Sequence, residues 1–254
     1  MAYVLITGGS QGLGFELAKC FADDGIDLIL CARNQDRLNT AAAYLKEKYG
    51  VDVKTVAIDL SEKDAAERLH EECGDKKISH LVNNAGIGFL GEARRIPKEK
   101  DEQLIALNII ALTGLTKLFL SDMLAAGSGT ILNVASTGAF VPGPYIASYY
   151  ASKAYVLSYT EALAQETAGS SVKVCCLCPG PVRTSFYGKS GQTAPFYAMD
   201  AEKCAHYAYR KMKEGETLII PGVLNRLSRH LPAGLSARFI GKMKSGQLKD
   251  KKDG

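Results

Sequence analysis

Residues 2–25 read AYVLITGGSQGLGFELAKCFADDG. The first five are apolar without alternation, the pattern of a strand buried on both faces. Phe15, Leu17, Ala18, Phe21 and Ala22 then recur at helical spacing, and Gly25 closes the helix. Between strand and helix stands Thr7-Gly8-Gly9-Ser10-Gln11-Gly12-Leu13-Gly14. Glycines at such a turn let the backbone approach a pyrophosphate, and the helix N-terminus adds free N–H groups and positive potential. A glycine-rich turn alone is more often a plain loop. Its place straight after a first strand makes Gly8, Ser10, Gln11, Gly12, Leu13 and Gly14 candidate dinucleotide contacts.

Strand and helix patterns keep alternating along the chain. Residues 26–32 form a second apolar strand. A carboxylate at its end would bind the adenosine 2′-hydroxyl of NAD, but the sequence there is Ala32-Arg33-Asn34. Arg33 suits a 2′-phosphate, so NADP(H) is expected to be preferred, with NAD(H) possible; the other reading of Arg33 is a solvated loop residue. Residues 35–48 read as a helix closed by Gly50, and 51–58 as a third strand ending in Asp59-Leu60-Ser61. Ser61 is a candidate N-cap for a helix over 62–73. Asp59 either meets the adenine amino group or acts as a second cap. A fourth strand, 78–82, runs into Asn83-Asn84-Ala85-Gly86, small residues and amides suited to packing on a cofactor. Asn83 alternatively ties neighbouring strands together. A helix over 98–126 carries Asn108 at its middle, locally unfavourable and in need of a reason: polar packing, a bend or a held water. A fifth strand (130–134), a helix (148–168), a sixth strand (172–177), a Pro179–Thr184 break, a helix (200–213) and a seventh strand (217–220) follow. The pattern is one α/β domain over 1–245.

Composition narrows the classes. Hydrophobic residues at 46% and charged residues at 23% of 254 allow an ordinary globular core. The net charge of +4 is scattered, so no nucleic-acid surface is expected. Seven cysteines, an odd count mostly in apolar runs, argue against zinc and disulfides and for buried thiols in the cytoplasm. No signal peptide fits before residue 3, and no apolar stretch reads as long enough to span a bilayer. Residues 185–199, rich in Gly, Pro, Phe and Tyr, read as a mobile cover over a ligand. Residues 223–245 set Leu224, Leu227, Leu231, Leu235, Phe239 and Met243 against Arg226, Arg229, Arg238, Lys242 and Lys244. This amphipathic segment reads as an oligomer contact, a substrate wall or a membrane-surface helix; packing on its own domain or on a partner is expected, with 246–254 forming a disordered tail.

The chemistry concentrates in residues 136–153, STGAFVPGPYIASYYASK. Tyr149 and Lys153 are four apart and share a helix face. An ammonium beside a phenol favours the phenolate and draws its pKa down from about 10. Alone, Tyr-x-x-x-Lys more often marks an ordinary amphipathic helix. Here it follows Thr7-Gly8-xxx-Gly12-x-Gly14, Asp59, Asn83-Asn84-Ala85-Gly86, Asn108 and Ser136, and precedes Pro179-Gly180-xxx-Thr184. In that order the chain resembles the short-chain dehydrogenase/reductase family, with a weaker likeness to its 3-oxoacyl and hydroxysteroid reductases.

The resemblance implies a Rossmann-type doubly wound domain, a parallel sheet of about seven strands with helices on both faces. It implies that Asn108 holds a water near Lys153, Ser136 bonds the substrate carbonyl, Tyr149 is the acid and base, and Lys153 lowers its pKa and binds the nicotinamide ribose. Asp59, Leu60, Asn84, Ala85, Gly86, Pro179, Gly180, Val182 and Thr184 complete the cofactor set, with Arg33 and Asn34. Tyr149, not its neighbour Tyr150, has the required distances to Ser136 and Lys153. Where many NADP-preferring members carry a basic residue, this chain has Gln11, leaving the phosphate to Arg33. Phe89, Ala139, Phe140, Tyr145, Phe186 and Tyr187 are the expected substrate wall, with Leu90, Val141, Phe196 and Tyr197 near it. The implied activity is NADP(H)-dependent reduction of a hydrophobic ketone or aldehyde; alternatives are an NAD-dependent alcohol dehydrogenase and a non-catalytic NADP(H) sensor. The family pairs through its two long helices, so a homodimer or homotetramer is expected.

Overall fold

The computed structural model describes residues 2–229 and 232–250. Along β1 (Tyr3–Thr7) and β2 (Asp27–Ala32), successive apolar side chains go to opposite faces. Val4, Ile6, Leu28 and Leu30 enter one core with Leu17 and Phe21 of α1 (Gly12–Asp23) and Leu38 of α2 (Gln35–Tyr49). Leu5, Ile29 and Cys31 enter the other, which lies under α3 (Ala65–Cys73) and α5 (Leu112–Ala125). Burial on both faces is why these strands lack alternation in sequence.

Five further strands complete the main sheet: β3 (Val53–Ala57), β4 (Ile78–Asn83), β5 (Gly129–Val134), β6 (Val172–Leu177) and, past a separate short pair, β9 (Leu218–Ile219). Their order is β3-β2-β1-β4-β5-β6-β9, every pairing parallel. The chain thus winds outward one way from β1 and the other way from β4. That reversal opens a crevice at the C-terminal ends of those strands. Helix α4 (Lys98–Ile105) continues through a π-helical turn at Ala106–Ala111 into α5, and α6 (Ala147–Glu166) lies beside it. All seven cysteines are free and buried.

Sequence readings are corrected at Ser61 and decided at Asn83. Ser61 does not cap a helix; its N–H and hydroxyl both donate to Asp59 Oδ1, and α3 starts only at Ala65 after Asp64 at φ 55°. Asn83 faces the interior and ties strands together, the alternative reading. Residues 185–199, the expected cover, line the cavity and lie between β7 (Val182–Arg183) and its partner β8 (Met199–Asp200), with one helical turn, α7 (Phe186–Lys189); this leaves the expected mobility as it stands. Within the helical run Lys98–Ala125 the most apolar 18 residues have a mean hydropathy of 1.8, a length and composition that core helices of soluble proteins share, and this does not overturn the sequence reading. Its apolarity combines an inner face buried on the sheet (Leu115, Phe119, Met123) with outward Ile105 and Ile110.

After α8 (Ala201–Lys213) and β9, the last segment forms α9 (Val223–Ser228) and α10 (Ala233–Asp250). Leu224, Leu227, Leu235 and Phe239 are exposed rather than packed on their own domain. Residues 246–250 continue α10 instead of forming a disordered tail, and Gln247 lines the cavity. Leu231 and residues 251–254 lie outside the described residues.

A buried polar network locks the floor of the crevice. Asn83 Nδ2 donates to Asn133 Oδ1 (2.9 Å) and Thr116 Oγ1 (3.0 Å), and Asn133 Nδ2 donates to Thr160 Oγ1 (3.1 Å). These four side chains join β4, β5, α5 and α6 with at most 2% exposure. Asn133→Leu removes one buried partner each from the Asn83 amide, which keeps Thr116, and from the Thr160 hydroxyl, which keeps the Val156 carbonyl. The expected loss is about 2–4 kcal/mol, or roughly 5–15 °C in the unfolding midpoint; circular dichroism on heating checks it.

Candidate active site

Gly8 and Gly12 adopt left-handed φ of 67° and 57°, the conformation in which an L side chain is strained. Gly14 has another reason: a Cβ there would collide with the Gly8 carbonyl and the Asn84 amide. Gln11 stands at the N-cap of α1 with extended backbone and gives no side-chain cap, and no acidic residue follows in the first turn. The leading N–H groups of α1 therefore face the crevice without a protein cap, ready for an anion. Across the crevice, Thr7 Oγ1 accepts from the N–H groups of Asn84 and Ala85, both at 3.0 Å. Asn84 Nδ2 donates back to the Thr7 carbonyl at 3.0 Å. This knot holds Asn84-Ala85-Gly86 against the glycine turn.

The end of β2 is cationic. Arg33 Nη1 lies 3.4 Å from Asp59 Oδ2. Burial opposes the Asp59 charge, but hydrogen bonds from Ser61 and the Arg33 charge win and hold the carboxyl below its ordinary value. Asn34 caps α2 through Oδ1, accepting from Arg37 N at 2.8 Å, which commits its side-chain oxygen. The Arg37 guanidinium reaches back to Gln11 Oε1 at 3.2 Å. Lys189 faces both arginines, and burial followed by those two charges pushes its ammonium down. A second cation thus stands beside Gln11, the position the sequence reading leaves without one.

At the other end, Ser136 starts a short 3-10 turn, Thr137–Phe140, and its Oγ accepts from Gly138 N at 3.1 Å. Tyr149 sits on the first turn of α6. Its ring packs on Phe186 with centroids 5.3 Å apart, and a Cβ at Gly88 would come within 2.9 Å of it. Lys153, one turn later and 4% exposed, donates to the Val134 carbonyl at 2.7 Å and lies 5.8 Å from the Tyr149 ring centroid. Burial pushes this ammonium down to about 8. The expected lowering of the Tyr149 pKa is reversed here. Burial pushes the phenol up, and only a hydrogen bond with Ser136 opposes it. Asn108 is fully buried; its Oδ1 accepts from Ile87 N (3.0 Å), and its Nδ2 donates to Ile87 O (2.9 Å) and Ser152 Oγ (3.0 Å). It clamps the end of β4 to α6 from behind the wall.

Both ends open into one cavity of about 620 Å³. All predicted cofactor contacts except Gly14 line it, as do Ser136, Phe89, Phe186 and Tyr187. Ala139, Phe140 and Tyr145 do not. The 3-10 turn carries Ala139 away, Phe140 packs against a small core around Val156 and Cys178, and Tyr145 sits at φ 65° with its carbonyl bonded to Gly91 N. Leu90 and Val141 are also outside the lining, and Phe196 is 96% exposed, whereas Tyr197 lines the cavity. The sequence reading missed Arg37, Tyr150, Lys189, Gln192 and Gln247, while Met243 and Lys244, at the far end, fall in the C-terminal segment for which a substrate wall is one reading. Arg37 had a local signal, three residues after the Asn34 cap; Gln192 and Gln247 had none. An uncapped helix N-terminus on left-handed glycines, with paired arginines on one side and Ser136 and Tyr149 on the other, fits a nicotinamide dinucleotide.

Comparison with known proteins gives the same fold. Very-long-chain 3-oxoacyl-CoA reductase of Mus musculus is 30% identical over 186 residues, 72% of this chain and 60% of the reductase. The chain therefore spans less than two thirds of that relative's length. The 7beta-hydroxysteroid dehydrogenase of Collinsella aerofaciens is 28% identical over 232 residues, 89% of this chain and 88% of that enzyme. A short-chain dehydrogenase from Sphingobium yanoikuyae, solved in complex with NADPH, superposes with a TM-score of 0.84 at 30% identity, covering 98% of this chain and 96% of the other. The family model for short chain dehydrogenases matches residues 2–195, and the chain belongs to that family.

Proposed function

We propose that this chain is an NADP(H)-dependent oxidoreductase that reduces the carbonyl of a hydrophobic ketone or aldehyde to an alcohol, reversibly. The observation that carries this is the joining, in one cavity, of Ser136, Tyr149 and Lys153 with an aromatic wall at one end and Arg33 and Arg37 at the other. Family membership, and relatives that are reductases and dehydrogenases, support it.

The glycine turn and the α1 N-terminus would hold the pyrophosphate, Arg33 and Arg37 the adenosine 2′-phosphate, and Lys153 the nicotinamide ribose. A bound nicotinamide supplies the hydride. Ser136 donates its hydroxyl proton in a hydrogen bond to the substrate carbonyl oxygen. Tyr149 passes its phenolic proton to the same oxygen as negative charge develops there. The phenol carries its proton at neutral pH, as the donor role requires; burial, by pushing it up, makes that proton harder to give. The Lys153 ammonium then offsets the charge left on the phenolate. In the reverse direction Tyr149 accepts the proton.

Absence of a carboxylate at the end of β2 favours NADP(H) over NAD(H). Ile105 and Ile110 on the α4–α5 run and Tyr155 on α6 are exposed apolar side chains on the two long helices, which supports pairing of copies through that face.

Tyr149→Phe is expected to lower turnover about 10²- to 10⁴-fold while the NADPH dissociation constant changes little. Loss of reduced-cofactor absorbance and fluorescence titration measure the two; retained turnover removes Tyr149 as the acid. Arg33→Ala should weaken NADPH by about ten- to a hundredfold through the lost charged hydrogen bonds, with NADH hardly affected. Equal losses would contradict a phosphate contact. Lys153 is charged below a pKa of about 8 and neutral above it. The reductive rate should therefore fall as pH rises through that value, and a profile flat across it would exclude the ammonium from the reaction.

A further inference from the structure

Two buried lysines line the cavity. Lys153 belongs to the catalytic group. Lys244, on α10, has no part in it, yet its residue is only 6% exposed. Its ammonium donates to a single partner, Gln192 Oε1. Among the described residues no carboxylate lies in salt-bridge range of it, and burial pushes the ammonium down to about 8 with no acidic group opposing. Gln192 is itself fixed: its N–H donates to the Tyr187 carbonyl at 2.8 Å and its Nε2 to Ser190 Oγ at 2.8 Å. One helical turn beyond Lys244, Gln247 also lines the cavity, and its Oε1 is buried without a partner. A half-turn about the last side-chain bond exchanges that oxygen for NH2, which donates. An uncompensated ammonium removed from water is unfavourable unless something negative meets it.

The position says whose charge that is. Lys244 is held through Gln192 to the segment between β7 and β8, and Gly241 of the same helix lies against Pro144, in the stretch that precedes Tyr149. The glycine turn and the arginines, the anion-binding end for a dinucleotide, belong to other elements. Between Lys244 and Tyr149 runs an aromatic shelf: Phe186 packs on Tyr149, and Tyr187 packs edge-on to Phe186 with centroids 6.2 Å apart. A ligand reaching from Tyr149 to Lys244 crosses apolar surface and ends on one positive charge flanked by two amides. One ammonium neutralises a carboxylate; a dianionic phosphate would keep an unmatched charge.

We infer that Lys244, with Gln192 and Gln247, forms an anion subsite for the substrate, and that the substrate is a hydrophobic ketone or alcohol bearing a carboxylate remote from the reacting carbon. This rests on the reductase reading for the reaction but not for the subsite, which binds the carboxylate whether or not turnover follows.

The test uses 6-oxo-6-phenylhexanoate and 8-oxo-8-phenyloctanoate, each against its methyl ester, with NADPH and the full chain. The better acid should exceed its ester in kcat/KM by about tenfold or more, as for a charge-assisted contact. Lys244→Met, which keeps the apolar stem, should bring that ratio near one. Calorimetric titration with decanoate should show binding that Lys244→Met and Lys244→Gln both abolish. The ligand-free unfolding midpoint of Lys244→Met should rise, since a buried unmatched charge is gone; a fall would mean that Lys244 is a structural contact. Equal use of acid and ester by the unaltered protein, or a preference that survives Lys244→Met, overturns the subsite and leaves the reductase reading standing. If no ketone is reduced, that reading fails and decanoate decides the subsite alone: binding that depends on Lys244 supports it, and binding that does not, or none, overturns it.

Discussion

The pair of hydrogen bonds from Asn84 and Ala85 to Thr7 Oγ1 fixes the distance between the two halves of the crevice. Parallel winding in opposite directions from β1 and β4 leaves no crossing connection over their ends. β1 and β4 already pair as far as Thr7 opposite Asn83, and the tie carries that order into the glycine turn after β1 and the Ala85-Gly86 turn after β4. Thr7, 2% exposed, makes them one surface with a single hydroxyl shared by two backbone donors. The tie also explains the packing around Gly86: a Cβ there would stand 3.3 Å from Asn108 Oδ1 and 3.4 Å from Lys153 Nζ. The catalytic ammonium and the clamp that orders α6 both approach the backbone that Thr7 positions.

Burial decides the electrostatics of the cavity more than pairing does. Tyr149 rises although Lys153 is close, and Lys153 falls although a carbonyl receives it. Each group is thereby held nearer its neutral form. For Tyr149 the neutral form is the acid that carbonyl reduction needs. The Val134 carbonyl contributes something different from charge: it fixes where the Lys153 ammonium stands and so keeps it from collapsing onto the phenol. At the adenosine end the balance shifts, because Arg33 is more exposed and Asp59 answers it directly.

What the sequence makes legible is what short segments encode. The first strand–turn–helix unit is local, and every feature of it follows from residues 2–25. Strands buried on both faces announce themselves as apolar runs, and the Ser136–Tyr149–Lys153 spacing needs only one helix and one turn. The illegible part joins distant segments. Lys244 meets Gln192 across 52 residues, and nothing near Lys244 in the chain distinguishes it from Lys242, two residues away and exposed. Amphipathic patterning over 223–245 identifies an apolar face but not what covers it, so the pattern leaves open whether Leu224 and Phe239 pack on their own domain or on a partner, and both stand exposed on the domain. The Ala139–Tyr145 stretch fails for a related reason: an apolar loop residue can face a ligand or the protein, and Phe140 turns to the protein.

Adjacent tyrosines show how backbone space assigns chemistry. Successive residues on a helix point about 100° apart, so Tyr149 and Tyr150 cannot share a role. Tyr149 is pressed between Phe186 and the backbone at Gly88, where a side chain would strike its ring. Tyr150 occupies a slot beside Gly138, where an added Cβ would approach its ring at 3.2 Å, and Gly143, where it would collide outright. Glycines at 138 and 143 thus make the STGAFVPG stretch a mould for the tyrosine that does no acid chemistry. A side chain at either glycine would displace Tyr150, itself part of the cavity lining, at the start of α6, on which Tyr149 depends. The segment that brings Ser136 to the cavity therefore also shapes the start of the helix that carries the acid.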